Sequence, residues 1–175
     1  MTNAEMLRRF QLAVALIVMA SVSGLQAQSP STLVGSWKLV SASATSAAGI
    51  VDKAPYGVNL SGALTYTVEG RVTVLLSYGD RKPLSGSDRI NAPASERAEA
   101  FATFFAYSGR YSLAGNRLTH HVDIASYPNW VNTDFVREFT LSADRLTLRT
   151  PPLSVGGTMQ ISDLVWERVR GTGGQ

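Results

Sequence analysis

The stretch Gly35-Ser36-Trp37-Lys38-Leu39-Val40 decides how the rest of the chain is read. Trp37 and Leu39 alternate with Lys38, which is the period of a half-buried strand. It stands just after a leader-like N-terminus, so it reads as the first strand of the mature protein. Downstream, Ala63 to Val68 and Arg71 to Leu76 flank a Glu69-Gly70 turn and predict a hairpin. Tyr107 to Leu113 turns at Ala114-Gly115 into Asn116 to Ala125, and Thr133 to Leu141 turns at Ser142 to Asp144 into Arg145 to Thr150. Pro151-Pro152 ends that strand, and Thr158 to Val169 supplies the last one. Ser41 to Gly49 is expected to be a loop of small residues. Ser95 to Phe105 is the one predicted helix, capped by Ser95 and carrying Ala98, Phe101 and Phe105 on one stripe. Short strands at regular spacing, joined by tight turns, mean an all-β antiparallel barrel or sandwich.

The leader has the composition of an export signal. Arg8 and Arg9 form a positive start, Phe10 to Leu25 is mainly apolar, and Ala27 offers a small residue for cleavage. The uninterrupted apolar run from Leu12 to Val22 is short for a bilayer, which needs about 20 residues. Residues 1–27 are therefore expected to be a signal peptide and 28–175 one domain, exported to a periplasmic or secreted location with no stable membrane anchor after signal removal. Without Arg8, Arg9 and Glu5 the formal net charge falls from +3 to about +2. Basic residues are scattered, so nucleic-acid binding is not expected. The chain has no cysteine, which removes disulfides, thiolate metal sites and cysteine nucleophiles.

Taken together, these segments resemble the bacterial and fungal lipocalin-like domain family within the wider calycin group. The resemblance rests on Leu33 to Val40, Leu64-Thr65-Tyr66-Thr67 with Gly70-Arg71, and Tyr107-Ser108-Gly109-Arg110-Tyr111. It continues through His120-His121-Val122, Pro128-Asn129-Trp130, Arg137, Leu146-Thr147-Leu148 and Trp166-Glu167-Arg168. It implies an up-and-down antiparallel β-barrel of about eight strands with one short helix. In such a barrel Gly35 lets the chain approach the floor closely, Trp37 plugs it, and Arg168 could cover the Trp37 ring from below. The resemblance implies a cavity and no settled activity; related barrels carry small apolar ligands or catalyse cofactor-free isomerisations and cyclisations, so no cofactor is expected.

Alternation along Asn116 to Ala125 puts Leu118, His120, Val122 and Ile124 on one face and Arg117, His121 and Asp123 on the other. The apolar face points inward, taking His120 with it. Two histidines on opposite faces make a poor metal set, and none is expected. Counting back from the Ala114-Gly115 turn sets His120 opposite Gly109, whose missing side chain is expected to leave room for the imidazole between Tyr107 and Tyr111. On the next strand Arg137 shares the inner face with Phe135, Phe139 and Leu141, diagonal to His120. An inward arginine is costly to bury unpaired.

His120 and Arg137 are therefore the candidate ligand-binding or catalytic pair, with Tyr66, Tyr107, Tyr111, Asn129 and Trp130 as candidate ligand contacts and Trp37 and Arg168 as structural residues. The expected function is to bind a small, mostly apolar ligand, neutral or anionic, inside the barrel. The alternative is an isomerase, cyclase or hydratase in which His120 moves a proton. A third reading is a structural or interaction domain with a filled core.

Overall fold

A computed structural model describes residues 32–171. Its elements are β1 (Gly35–Ser46), β2 (Val51–Asp52), β3 (Ser61–Tyr66), β4 (Arg71–Ser77), α1 (Ala94–Ala102), β5 (Phe104–Ala114), β6 (Arg117–Ala125), a 3-10 turn (Pro128–Trp130), β7 (Asp134–Ser142), β8 (Arg145–Arg149), β9 (Leu153–Val155) and β10 (Thr158–Arg168). Each strand pairs antiparallel with its neighbour, and β1 pairs with β10 to close the sheet into a barrel of eight strands. The short β2 and β9 extend the sheet at one end only. Residues 1–27, read above as an export signal, lie outside the described residues.

Side-chain alternation builds the interior. On β4, Val72, Val74 and Leu76 point inward while Arg71, Thr73 and Leu75 face out; β6 does the same with Leu118, His120 and Val122. The inward set fills one half of the barrel: Trp37, Leu64, Tyr66, Leu118, Leu146 and Trp166 are fully buried. At that closed end the Arg168 guanidinium lies 4.1 Å from the centre of the Trp37 ring. Its two terminal nitrogens donate to the carbonyls of Val34 (2.8 Å) and Thr32 (2.7 Å). Gly35 has φ +131°, and a Cβ there would stand 2.9 Å from the Arg168 Nη1 atom. Glycine is thus required twice, for the backbone conformation and for the seat of the guanidinium.

The structure departs from the sequence reading in four places. The expected loop at Ser41 to Gly49 is mostly strand, because β1 runs on to Ser46 in register with Gln160. Its small residues Ala42 and Ala44 are buried, so sheet pairing outweighs their weak strand preference. The helix begins at Ala94 after Pro93 with no side-chain cap, so Ser95 caps nothing. Phe101 is exposed and Phe105 sits on β5, whose pairing with β4 starts at Ser77 opposite Phe104, so the expected helical stripe does not form.

The expected two-residue Glu69-Gly70 turn is wider: the Thr67 amide donates to the Arg71 carbonyl across it. The β5–β6 turn falls one residue later than expected, and Leu113 pairs with Leu118. His120 therefore faces Tyr111, and Gly109 faces Val122. A slip of two residues preserves side-chain parity, so the inward placement of His120 survives the error, whereas Ile124, expected inward, lies past the bulge at Ser108 and Gly109 and is exposed. Gly109 makes no room for the imidazole. It lies at a bulge where a Cβ would come within 1.9 Å of the His121 carbonyl oxygen.

Candidate functional site

The other half of the barrel is hollow. A cavity of about 480 Å³ opens at the end where β5 begins and β6 finishes. Its form follows from the strands around it. β7 pairs with β8 only from Glu138 opposite Arg149 onward, which leaves Asp134 to Arg137 without β8 partners on that side. Pro151 and Pro152 lack the amide hydrogens that would prolong the ladder. The wall there is built instead from rings. Tyr107 and Phe135 meet at 5.2 Å, Trp130 and Phe135 at 5.3 Å, and Phe105 and Trp130 at 5.6 Å, all edge to face.

Among the side chains singled out from sequence, Tyr107, Trp130 and Arg137 line this cavity, whereas Tyr66, Tyr111, His120 and Asn129 do not. His120 is fully buried next to it and engaged at both ring nitrogens. The Tyr66 hydroxyl lies 2.8 Å from Nε2 and the Tyr107 hydroxyl 2.8 Å from Nδ1. Burial, then the nearby Arg137 charge, holds the imidazole down at about 3, so it is neutral at ordinary pH. Burial pushes the Tyr107 phenol up to about 12 against the opposing pull of Arg137, and raises Tyr66 well above its ordinary value. Tyr111 packs edge-on against Tyr66 at 4.9 Å and donates its hydroxyl to the Thr67 carbonyl. It braces the tyrosine–histidine group from the filled side.

Arg137 projects inward as strand parity predicts and stands diagonally from His120, which is paired with Phe135. It is half-buried, with its guanidinium carbon 5.3 Å from the centre of the Phe135 ring and Nη1 donating to the Val136 carbonyl. Among the described residues no carboxylate pairs with it. The outer-face residues behave differently. His121 bonds Asp134 at 2.7 Å and Ser112 at 3.0 Å, and Asp123 takes Arg71 at 2.6 Å.

Sequence reasoning missed several wall residues. Phe105 could have been found by extending the Tyr107 face two residues back along β5, and Trp166 by doing so from Arg168 along β10. Tyr56 and Tyr78 lie in connecting segments, where no alternation reveals direction. The Trp166 indole nitrogen is the one buried side-chain polar atom without a partner among the described residues.

The family comparison agrees with this architecture. Residues 34–169 match the lipocalin-like domain family. The chain belongs to that family. A relative from Aspergillus oryzae (strain ATCC 42149 / RIB 40) is 32% identical over 93 residues, covering 48% of this chain and 84% of its own length. That relative is named a 4'-hydroxy-3'-methoxypropiophenone carrier protein. Among solved structures, a lipocalin-like protein from Bacteroides uniformis is 16% identical, covering 78% of this chain and 98% of its own, with a TM-score of 0.41. Secretory abundant heat soluble protein 4 from Ramazzottius varieornatus is 13% identical, covering 79% and 95%, with a TM-score of 0.38.

Proposed function

We propose that this lipocalin-like chain is an exported carrier that holds one small, mostly apolar molecule in the hollow half of its barrel. The observation that carries the reading is Arg137: a half-buried guanidinium on the wall of an aromatic cavity, with no carboxylate partner among the described residues. Asp134 also lines the cavity but is bonded to His121, so an Arg137 cation with no ion-pair partner favours a ligand that brings oxygen acceptors, whether a carboxylate, an enolate or a polarised carbonyl. Phe105, Tyr107, Trp130 and Phe135 suit the apolar, planar remainder. The ketone carried by the fungal relative has this character. The leader composition of residues 1–27 supports export, and among the described residues no helix is long and apolar enough to cross a membrane.

The isomerase or cyclase reading is less well supported. A proton-moving histidine needs a free nitrogen and a proton affinity near working pH. Both His120 nitrogens are taken by tyrosines, and the ring is a weak base in this setting. The filled-core reading conflicts with the cavity beside Arg137.

Trp130 and Trp166 both border the cavity, so their fluorescence provides the test. Titration with a panel of aromatic carboxylates, aryl ketones and fatty acids should give saturable quenching with at least one class. Arg137→Met should weaken the carboxylates by roughly tenfold or more. A panel that neither quenches nor raises the melting temperature would sink the carrier reading.

A further inference from the structure

The Tyr66–His120–Tyr107 group has a direction, and hydrogen-bond accounting sets it. A neutral imidazole donates from one nitrogen and accepts at the other. Tyr66 is fully buried and lies off the cavity wall, and its hydroxyl has His120 Nε2 as its one hydrogen-bond partner among the described residues. A buried hydroxyl hydrogen left without an acceptor is costly, so Tyr66 donates to Nε2. The ring's own proton then sits on Nδ1 and is donated to the Tyr107 oxygen, 2.8 Å away. That leaves the Tyr107 hydroxyl hydrogen without an acceptor among the described residues, on a side chain that lines the cavity. On the same wall stands the Arg137 guanidinium, with nitrogens to spare, while the Asp134 carboxylate that also lines the cavity is bonded to His121. The Tyr107 hydroxyl and Arg137 both donate.

We infer that Tyr66, acting through the tautomer of His120, fixes the Tyr107 hydroxyl as a donor into the cavity, and that the protein therefore selects ligands presenting a carbonyl-type oxygen acceptor over isosteric hydrocarbons. This rests on the carrier reading for its ligand and goes beyond it in naming what sets specificity. Tyr107 is the contact residue. Tyr66 and His120 are positioning residues that never touch the ligand. The Nδ1–H tautomer is the property of the empty protein on which the selection depends, and it is measurable without any ligand.

The experiment has two arms. In the first, nitrogen NMR on histidine-labelled protein should show Nδ1 of His120 as protonated and Nε2 as the unprotonated, accepting nitrogen. In the second, propiophenone and propylbenzene are titrated as a matched pair differing in the carbonyl. The wild type should prefer the ketone by about tenfold, the range of one hydrogen bond. Tyr107→Phe should reduce that preference several-fold while keeping propylbenzene affinity, leaving only what Arg137 contributes. Tyr66→Phe, which removes the donor that locks the ring, should reduce the preference and give His120 a mixture of tautomers.

An Nε2–H tautomer in the wild type overturns the inference outright. Equal affinity for the two probes with Nδ1–H intact overturns donation into the cavity. If neither probe binds although Nδ1–H is seen, the ligand rule is overturned and only the tautomer stands; the carrier reading falls only if the wider panel fails as well. Should Tyr66→Phe fail to fold, the wild-type spectrum and Tyr107→Phe still decide.

Discussion

Two arginines at opposite ends of the barrel each cover an aromatic ring, yet their surroundings give them different work. Arg168 sits 4.1 Å from the Trp37 ring centre, donates to two carbonyls and has the Asp144 carboxylate 3.5 Å from its Nε. Its charge and most of its hydrogen bonds are met within the protein, and the interior above it is solid. Arg137 lies 5.3 Å from Phe135, donates to one carbonyl and faces a hollow. The same pair of groups is a clasp where its valences are filled and, on the carrier reading proposed above, a receptor where they are left over.

The largest effect expected from this contrast concerns His120, at the boundary between the two halves. Its folded proton affinity lies below the ordinary value of 6.5, at about 3. As pH falls below 6.5 the unfolded chain gains a proton that the folded chain refuses, so stability drops until the folded value is reached. The loss attributable to this group is on the order of 4–5 kcal/mol across that window. Urea unfolding of wild type and His120→Gln at a series of pH values should give curves that diverge over this range. Parallel curves would mean that the imidazole is not held neutral.

Arg168→Met should cost roughly 2–3 kcal/mol, because the ring loses its cation and the carbonyls of Thr32 and Val34 lose a charged donor. Unfolding midpoints measure it, and a change below about 0.5 kcal/mol would break the comparison from the closed end. Gly35→Ala should destabilise by about 1–3 kcal/mol, since the added Cβ meets Arg168 and the backbone is strained. In the double variant with Arg168→Met the penalty should shrink, which a thermodynamic cycle would reveal. The smallest effect belongs to the open end: Arg137→Met should change the stability of the empty protein by less than about 0.5 kcal/mol. A large loss there would show that Arg137 is a clasp as well.

Much of this contrast was readable along the chain, and the reason is the period of a strand. Alternation sent His120 and Arg137 inward, and that held even though the β5–β6 turn was misplaced, because a two-residue slip preserves parity. Gly35, Trp37 and Arg168 could be connected because the first and last strands of a closed barrel must meet. The role of Gly109 was misread, since a bulge and a close carbonyl leave no trace in an alternating pattern. Phe101 and Phe105 read as one helical stripe because nothing local shows where the helix gives way to β5.

What the sequence determined by itself was therefore direction: which side chains face in, and which two ends of the chain close on each other. Strand pleating imposes that residue by residue. Occupancy was decided only by the tertiary structure. Whether inward side chains fill the space they face depends on where ladders stop, how far β7 parts from β8, and which rings meet across the gap. These are relations between distant segments. They made one half of the barrel solid and left the other half open beneath Arg137.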